Sequence, residues 1–180
     1  MTGFSDRSRA RVRRPRPPLE AESLRELALR YVGRYATTQA KLRRYLDRKL
    51  RERGWEGEGA ADIDGIVERF AELGYVNDRL YGEAKARDMA ARGYGSRRIG
   101  GALRQAGLED EARGRIAAEV DDAAALEAYA RRRRIGPFAS EPPDRDTERK
   151  QFAACMRAGH DYELVKRLFS GDLLDEADEI

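Results

Sequence analysis

Apolar residues return every three or four positions along this chain, and short polar or glycine-bearing breaks interrupt them. Leu24, Leu27, Ala28, Tyr31, Val32 and Tyr35 form one stripe; Leu42, Tyr45, Leu46 and Leu50 form a second; Ile63, Ile66, Val67, Phe70 and Leu73 form a third. A 3.6-residue period places each set on one side of a helix. Thr37 and Thr38 are placed to cap the second helix and Asp62 the third, because a side-chain oxygen there accepts a bond from an orphan backbone N–H. Gly54 and Gly74 end helices, since glycine enters the left-handed region without a Cβ clash.

The same grammar runs on through the chain. Asn77 and Asp78 predict a cap for a helix over 79–92, followed by a Gly93-Tyr94-Gly95 turn. Ser96 is expected to cap a helix carrying Ile99, Ala102, Leu103 and Ala106, with a stop at Gly107 and a further helix bearing Ala112, Ile116 and Val120. Gly100 and Gly101 cost about 1 kcal/mol each against alanine in a helix, which predicts tight contact with a neighbour. A third set begins at Ala124, Leu126, Tyr129 and Ala130, crosses a proline-bearing stretch, and resumes with Phe152, Cys155 and Met156. Asp161 then caps a last helix with Leu164, Val165, Leu168 and Phe169, which Gly171 closes. No segment alternates as a strand does, so the expected fold class is all-α.

Three stretches share a turn followed by a short striped helix: Thr38-Gln39-Ala40-Lys41-Leu42, Gly95-Ser96-Arg97-Arg98-Ile99 and Gly159-His160-Asp161-Tyr162-Glu163-Leu164. The recurrence predicts an internal repeat, a small helical unit stacked several times. The expected organisation is an Arg/Pro-rich disordered arm at 1–22, three-helix repeats at 23–76, 77–122 and 123–171, the last with an insertion at 136–146, and an acidic tail at 172–180. Function is then expected on an extended surface.

Composition supports thin stripes: charged residues make up 38% of the 180 and hydrophobic residues 41%. The net charge of +3 is a small difference between 36 basic and 33 acidic residues, so distribution matters more. Arg7, Arg9, Arg11, Arg13, Arg14 and Arg16 crowd the arm, whereas Asp172, Asp175, Glu176, Asp178 and Glu179 crowd the tail. A single cysteine, Cys155, has no intrachain disulfide partner, and no apolar run approaches the length of about 18 residues that a membrane span needs. A cytoplasmic protein is the expectation, with no membrane association and a monomeric state.

Chemistry-bearing motifs are missing from the sequence. There is no phosphate-binding glycine loop with Lys and Ser/Thr, no H-E-x-x-H, no C-x-x-C and no G-x-S-x-G elbow. One histidine and one cysteine are too few for a structural zinc site or a Cys–His pair; Cys155 reads as a core thiol and His160 as a turn imidazole. Paired carboxylates such as Asp62 with Asp64, or Glu109 with Asp110, sit at helix starts, where capping and the macrodipole explain them. No catalytic residue, metal ligand or cofactor is expected.

Basic residues carry the better signal. Lys41, Arg44, Arg48 and Arg51 recur at three- and four-residue steps on the second helix. Arg97, Arg98 and Arg104 lie on the corresponding helix of the second unit, and the run containing Arg131 and Arg134 adds a third cluster. Such faces bind phosphates or acidic protein surfaces, or simply face water. Tyr31, Tyr35, Tyr45 and Tyr75 lie on helical stripes and are expected in the core rather than stacked on bases.

The run Leu73-Gly74-Tyr75-Val76-Asn77-Asp78-Arg79-Leu80-Tyr81, then Arg92-Gly93-Tyr94-Gly95-Ser96-Arg97-Arg98-Ile99 and Leu103-Arg104-Gln105-Ala106-Gly107-Leu108, resembles the RecX family of recombinase regulators. The similarity extends from Leu24 to Phe169. It implies tandem three-helix repeats bent into a crescent, and a protein that binds the RecA recombinase and its filament on single-stranded DNA, lodging in the filament groove. Recombination and coprotease functions would thereby be restrained. It implies no cofactor and no catalytic residue. Two departures stand out: Lys41-Leu42, where the family often has an acid before the leucine, and the Pro142-Pro143 loop. Direct binding to single- or double-stranded DNA is the competing expectation.

Overall fold

The computed structural model describes residues 17–172. Its nine α-helices, with no strand among the described residues, are α1 (Ala21–Val32), α2 (Gln39–Arg53), α3 (Ile63–Glu72), α4 (Asp78–Ala91), α5 (Ser96–Ala106), α6 (Asp110–Ala118), α7 (Asp122–Arg133), α8 (Arg145–Ala158) and α9 (Tyr162–Ser170). A single 3₁₀ turn at Gly136–Phe138 follows α7. The fold is all-α.

The apolar stripes gather into three clusters rather than one core. Leu24, Leu42, Leu46 and Val67 centre the first, Ile99, Leu103 and Ile116 the second, and Leu126, Ala130, Val165 and Leu168 the third. Tyr94 packs against both the second and the third. A chain this charged has few apolar residues per helix, so each helix can bury only a narrow face against its nearest neighbours. Leu42 and Leu46, one turn apart and completely buried, each contribute about 1.5–3 kcal/mol by leaving water.

Two joints link the clusters, and their backbones are built alike. The N-terminus of α2 abuts the C-terminus of α5, and the N-terminus of α5 abuts the C-terminus of α8. The first backbone N–H of α2, at Gln39, donates to Asp78 Oδ1 of α4 (2.9 Å). The first of α5, at Ser96, donates to Asp122 Oδ1 of α7 (2.7 Å). Each helix end thus receives its cap from the first residue of a helix in the next triplet. Thr38 Oγ1 donates to the Ala106 carbonyl (2.6 Å) across the first joint, and Gly95 N donates to the Ala158 carbonyl (3.0 Å) across the second. Glycine is required at both: a Cβ on Gly107 would lie 2.3 Å from that of Ala40, and one on Gly159 would lie 2.5 Å from the Arg98 backbone nitrogen.

Several sequence expectations are revised. Ser96 is not the cap of α5; Gly95 holds that position, and Ser96 Oγ donates to Asp122 Oδ2 (2.7 Å). Gly100 and Gly101 have no such neighbour among the described residues, since a Cβ on either would meet no atom of another element within 4 Å; the close approach falls at Gly82, where it would lie 2.6 Å from Ile116 and Leu108. Tyr31 and Tyr45 do stack in the first cluster (4.1 Å between centroids), but Tyr35 and Tyr75 are each more than half exposed, because each lies in the turn beyond its helix. The third stretch of the repeated pattern opens α9, the last helix of its triplet, whereas the other two open middle helices; a cap and a stripe mark any helix start.

The last residues of the expected 1–22 arm belong to the fold. Leu19 is completely buried, its N–H donates to the Gly54 carbonyl (2.9 Å), and α1 begins at Ala21. The arginines Arg7 to Arg16 and the tail beyond Asp172 lie outside the described residues.

Candidate functional site

The first joint leaves an open groove of about 470 Å³ lined by four cations, Lys41, Lys85, Arg92 and Arg98, two tyrosines, Tyr81 and Tyr94, and a floor from α5 that includes Gly101 and Ala102. Among the described residues no carboxylate lines it. The joint itself positions the first cation. Thr38 accepts the Lys41 N–H (3.2 Å) as cap of α2 while its hydroxyl is anchored on α5, so the first turn of α2 is held against α4 and α5. From there Lys41 Nζ donates to Tyr81 Oη and stands 4.3 Å from the ring centroid. At the far side the Arg98 guanidinium lies 4.5 Å from the Tyr94 centroid and donates to the Arg157 carbonyl (3.3 Å).

These cation–aromatic contacts are worth about 0.5–1 kcal/mol each at partly exposed sites. More important, they hold two flexible side chains over the groove with their charge unneutralised. Among the described residues Arg92 alone of the four has an acid, pairing with Asp88 at 2.9 Å. Four like charges lining one concave strip raise the local potential and favour anionic ligands.

The cations expected from sequence divide clearly. Lys41 and Arg98 line the groove, and Arg44 reaches across the α2–α5 step to donate to the Gln105 carbonyl (3.2 Å) beside it. Arg48 pairs with Glu52 (3.6 Å) and Arg97 with Asp161 across the second joint (2.6 Å). Arg131 pairs with Glu127 (2.6 Å) and lies over Phe138; with Arg134, the left-handed end of α7, it lines a separate shallow depression. Arg51 and Arg104 are exposed and make no ion pair among the described residues. Lys85 and Arg92 lie outside the middle helices, whose basic runs stand out along the sequence. Their signal is the step from Tyr81 to Lys85 to Arg92, four and then seven residues, one face of α4.

Elsewhere the titratable groups are structural. His160 is completely buried at the second joint, where its Nε2–H donates to the Gly93 carbonyl (3.1 Å) and Nδ1 has no partner among the described residues. Burial pushes its pKa down, against the opposing pull of the Gly93 carbonyl and Asp122. Burial likewise pushes the Cys155 thiol up to about 11, so it is not a nucleophile at neutral pH. Asp78 is raised by burial, opposed by the Gln39 N–H it accepts. Among the described residues no cluster of His, Cys, Asp and Glu has the make-up to hold a metal, and no helix is long and apolar enough to cross a membrane.

Comparison with known proteins gives a consistent set of relatives. No family model matches the chain. It is 33% identical over 181 residues to "Regulatory protein RecX" of Myxococcus xanthus, covering 94% of this chain and 96% of the relative. It is 37% identical over 136 residues to "Regulatory protein RecX" of Pseudomonas entomophila, covering 72% and 82% respectively. Among solved structures, RecX from Lactobacillus salivarius matches with a TM-score of 0.69 at 19% identity, over 86% of this chain and 97% of that one. At that identity the match establishes the shared fold.

Proposed function

The chain belongs to the RecX family of regulatory proteins, and from that premise we propose that it binds the RecA recombinase and its filament on single-stranded DNA. By occupying the filament it inhibits recombinase, ATPase and coprotease activity in DNA repair and the SOS response, in the cytoplasm. The observation that supports this reading best is the cationic groove of Lys41, Lys85, Arg92 and Arg98 at the first joint. It presents cations to an acidic protomer face or to DNA phosphates, and it needs no catalytic group.

In this proposal the three triplets, at 23–76, 77–122 and 123–171, are tandem repeats, and a row of them spans neighbouring protomers. The protein acts as a monomer, because both ends of the run of middle helices are closed from within. Leu19 N–H covers the carbonyl at the C-terminus of α2, and Asp144 caps α8 by accepting the Thr147 N–H (2.7 Å). A rigid bridge of this kind changes filament growth and denies access to duplex DNA or a cleavage substrate. If free protomers or filament ends bind it more tightly than intact filament, linkage drives disassembly.

The test is RecA-dependent ATP hydrolysis on single-stranded DNA. Near-stoichiometric protein is expected to lower the rate, and a Lys41→Glu/Arg98→Glu double variant, folded by circular dichroism, to lose on the order of tenfold in potency. Hydrolysis untouched by the parent protein defeats the reading. The second reading, a nucleic-acid-binding protein acting directly on DNA, draws on the same groove. Steep salt-dependent affinity for naked strands, with none added by a recombinase coat, favours it instead.

A further inference from the structure

Gly100 and Gly101 lie in the middle of α5, where glycine weakens a helix relative to alanine, yet no contact with another element among the described residues requires either. A Cβ on each would meet no atom within 4 Å, and neither has a positive φ. Compare Gly82, Gly95, Gly107 and Gly159, where a neighbouring element fills the space a Cβ would need. Gly101 is exposed and lies on the floor of the cationic groove, among Lys41, Lys85, Arg92 and Arg98. There the groove exposes bare helix backbone.

We infer that Gly101 is a close-approach seat for the sugar–phosphate backbone of a single-stranded nucleic acid. The inference deepens the reading of the groove as a contact face and rests on it. A nucleic-acid strand is a narrow ribbon with a charge at every nucleotide, and it fits an open strip of cations that no carboxylate of the described residues interrupts. An acidic protein surface reaches a cation with carboxylates on side-chain stems and has no need of a bare backbone beneath it. Removing the side chain at 101 lets a ribbon settle deeper, and Coulomb attraction to the four surrounding cations grows as the distance falls.

The tyrosines fit the same occupant. The Tyr81 and Tyr94 rings are engaged by Lys41 and Arg98 at 4.3 and 4.5 Å, so the rings hold cations in place rather than offer themselves to bases. Contacts then go to phosphates and sugars, and recognition is independent of base sequence. Gly114 of α6 provides an internal control: it too is exposed and open within 4 Å, but it lies outside the groove.

The experiment measures thermal unfolding and the binding of labelled oligothymidine for the full chain, Gly101→Ala, Gly101→Leu and Gly114→Ala. Both alanine variants are expected to raise the melting temperature by about 2–4 °C. Gly114→Ala is expected to bind as the parent does, Gly101→Ala several-fold more weakly, and Gly101→Leu at least tenfold more weakly. The combination of greater stability with weaker binding at position 101 is what a general folding defect cannot produce. Parent-like binding by Gly101→Leu overturns the seat, as does a parent protein that binds no oligothymidine. If Gly101→Leu loses only RecA-coated strands and keeps naked ones, the occupant is an acidic protein face and the inference is wrong. If Gly101→Leu loses oligothymidine while the parent leaves RecA hydrolysis unchanged, the seat stands and the filament reading falls.

Discussion

At the first joint Asp78 of α4 holds one backbone N–H of α2, whereas at the second Asp122 of α7 holds both the N–H and the hydroxyl of Ser96. The second joint also buries His160 against Gly93, pairs Arg97 with Asp161, and presses Gly95 against the Gly159 carbonyl, where a Cβ would lie at 2.4 Å. The first joint instead opens beside Lys41 into the cationic groove. Hydrogen bonds cross both abutments, but the first also borders an open, positively charged groove. Binding faces need charge left open to solvent, and the first joint gathers four cations along one groove, of which only Arg92 pairs with an acid among the described residues.

Removing the glycines at the two joints tests this contrast most severely. Gly159→Ala meets both a φ of +97° and the Arg98 backbone, and is expected to cost about 2–4 kcal/mol in urea unfolding. Gly107→Ala, at φ +90°, meets only the Ala40 methyl group closely and is expected to cost less, about 1–3 kcal/mol. Gly171→Ala, at φ +94° with open space around it, isolates the backbone penalty at about 1–2 kcal/mol. Equal losses at all three positions would show that the joints impose no constraint of their own.

The trans caps come next in size. Asp122→Ala is expected to cost about 1–2 kcal/mol and Asp78→Ala about 1 kcal/mol, read from thermal unfolding. A double-mutant cycle of Asp122→Ala with Ser96→Ala sharpens the comparison, because a coupling between them reports the hydroxyl bond that the first joint lacks. Additive losses contradict it.

The smallest effect is the pH dependence that His160 gives the second joint near neutrality. His160 has its folded pKa below the unfolded value of about 6.5. As pH falls through that value the unfolded chain takes up a proton that the folded chain resists, so stability present above about pH 6.5 declines until the folded pKa is reached. Comparing parent with His160→Gln between pH 5 and 7 checks the sign: the variant is expected to be less stable at pH 7 but flatter across the window. A parent curve that rises toward acid contradicts the assignment.

Legibility from sequence follows the range of the interaction. The apolar period of Leu42, Leu46, Ile99, Leu103, Val165 and Leu168 placed these residues in helices, and all six are buried. Caps at Thr38, Asp62, Asn77 and Asp161 were readable for the same reason, since each acts within one turn. Ser96 misled because its side chain bonds across a joint, and Gly100 and Gly101 misled because an absent side chain looks alike whether a neighbour or open space faces it. Tyr35 and Tyr75 followed the stripes in sequence yet lie beyond the helix ends, where the period no longer reports a face.

By itself the sequence determined nine helices, their narrow apolar faces and the lack of motifs for chemistry, because these depend on residues three or four apart. Only the tertiary structure decided which cations meet. Lys41 comes from α2, Lys85 from α4, Arg92 from the C-cap of α4, and Arg98 from α5, and no period along one helix records what another helix brings against it. Their assembly depends on Thr38 and Asp78 seating the start of α2 on the next triplet. That docking is a long-range contact, so the groove exists only once it has formed.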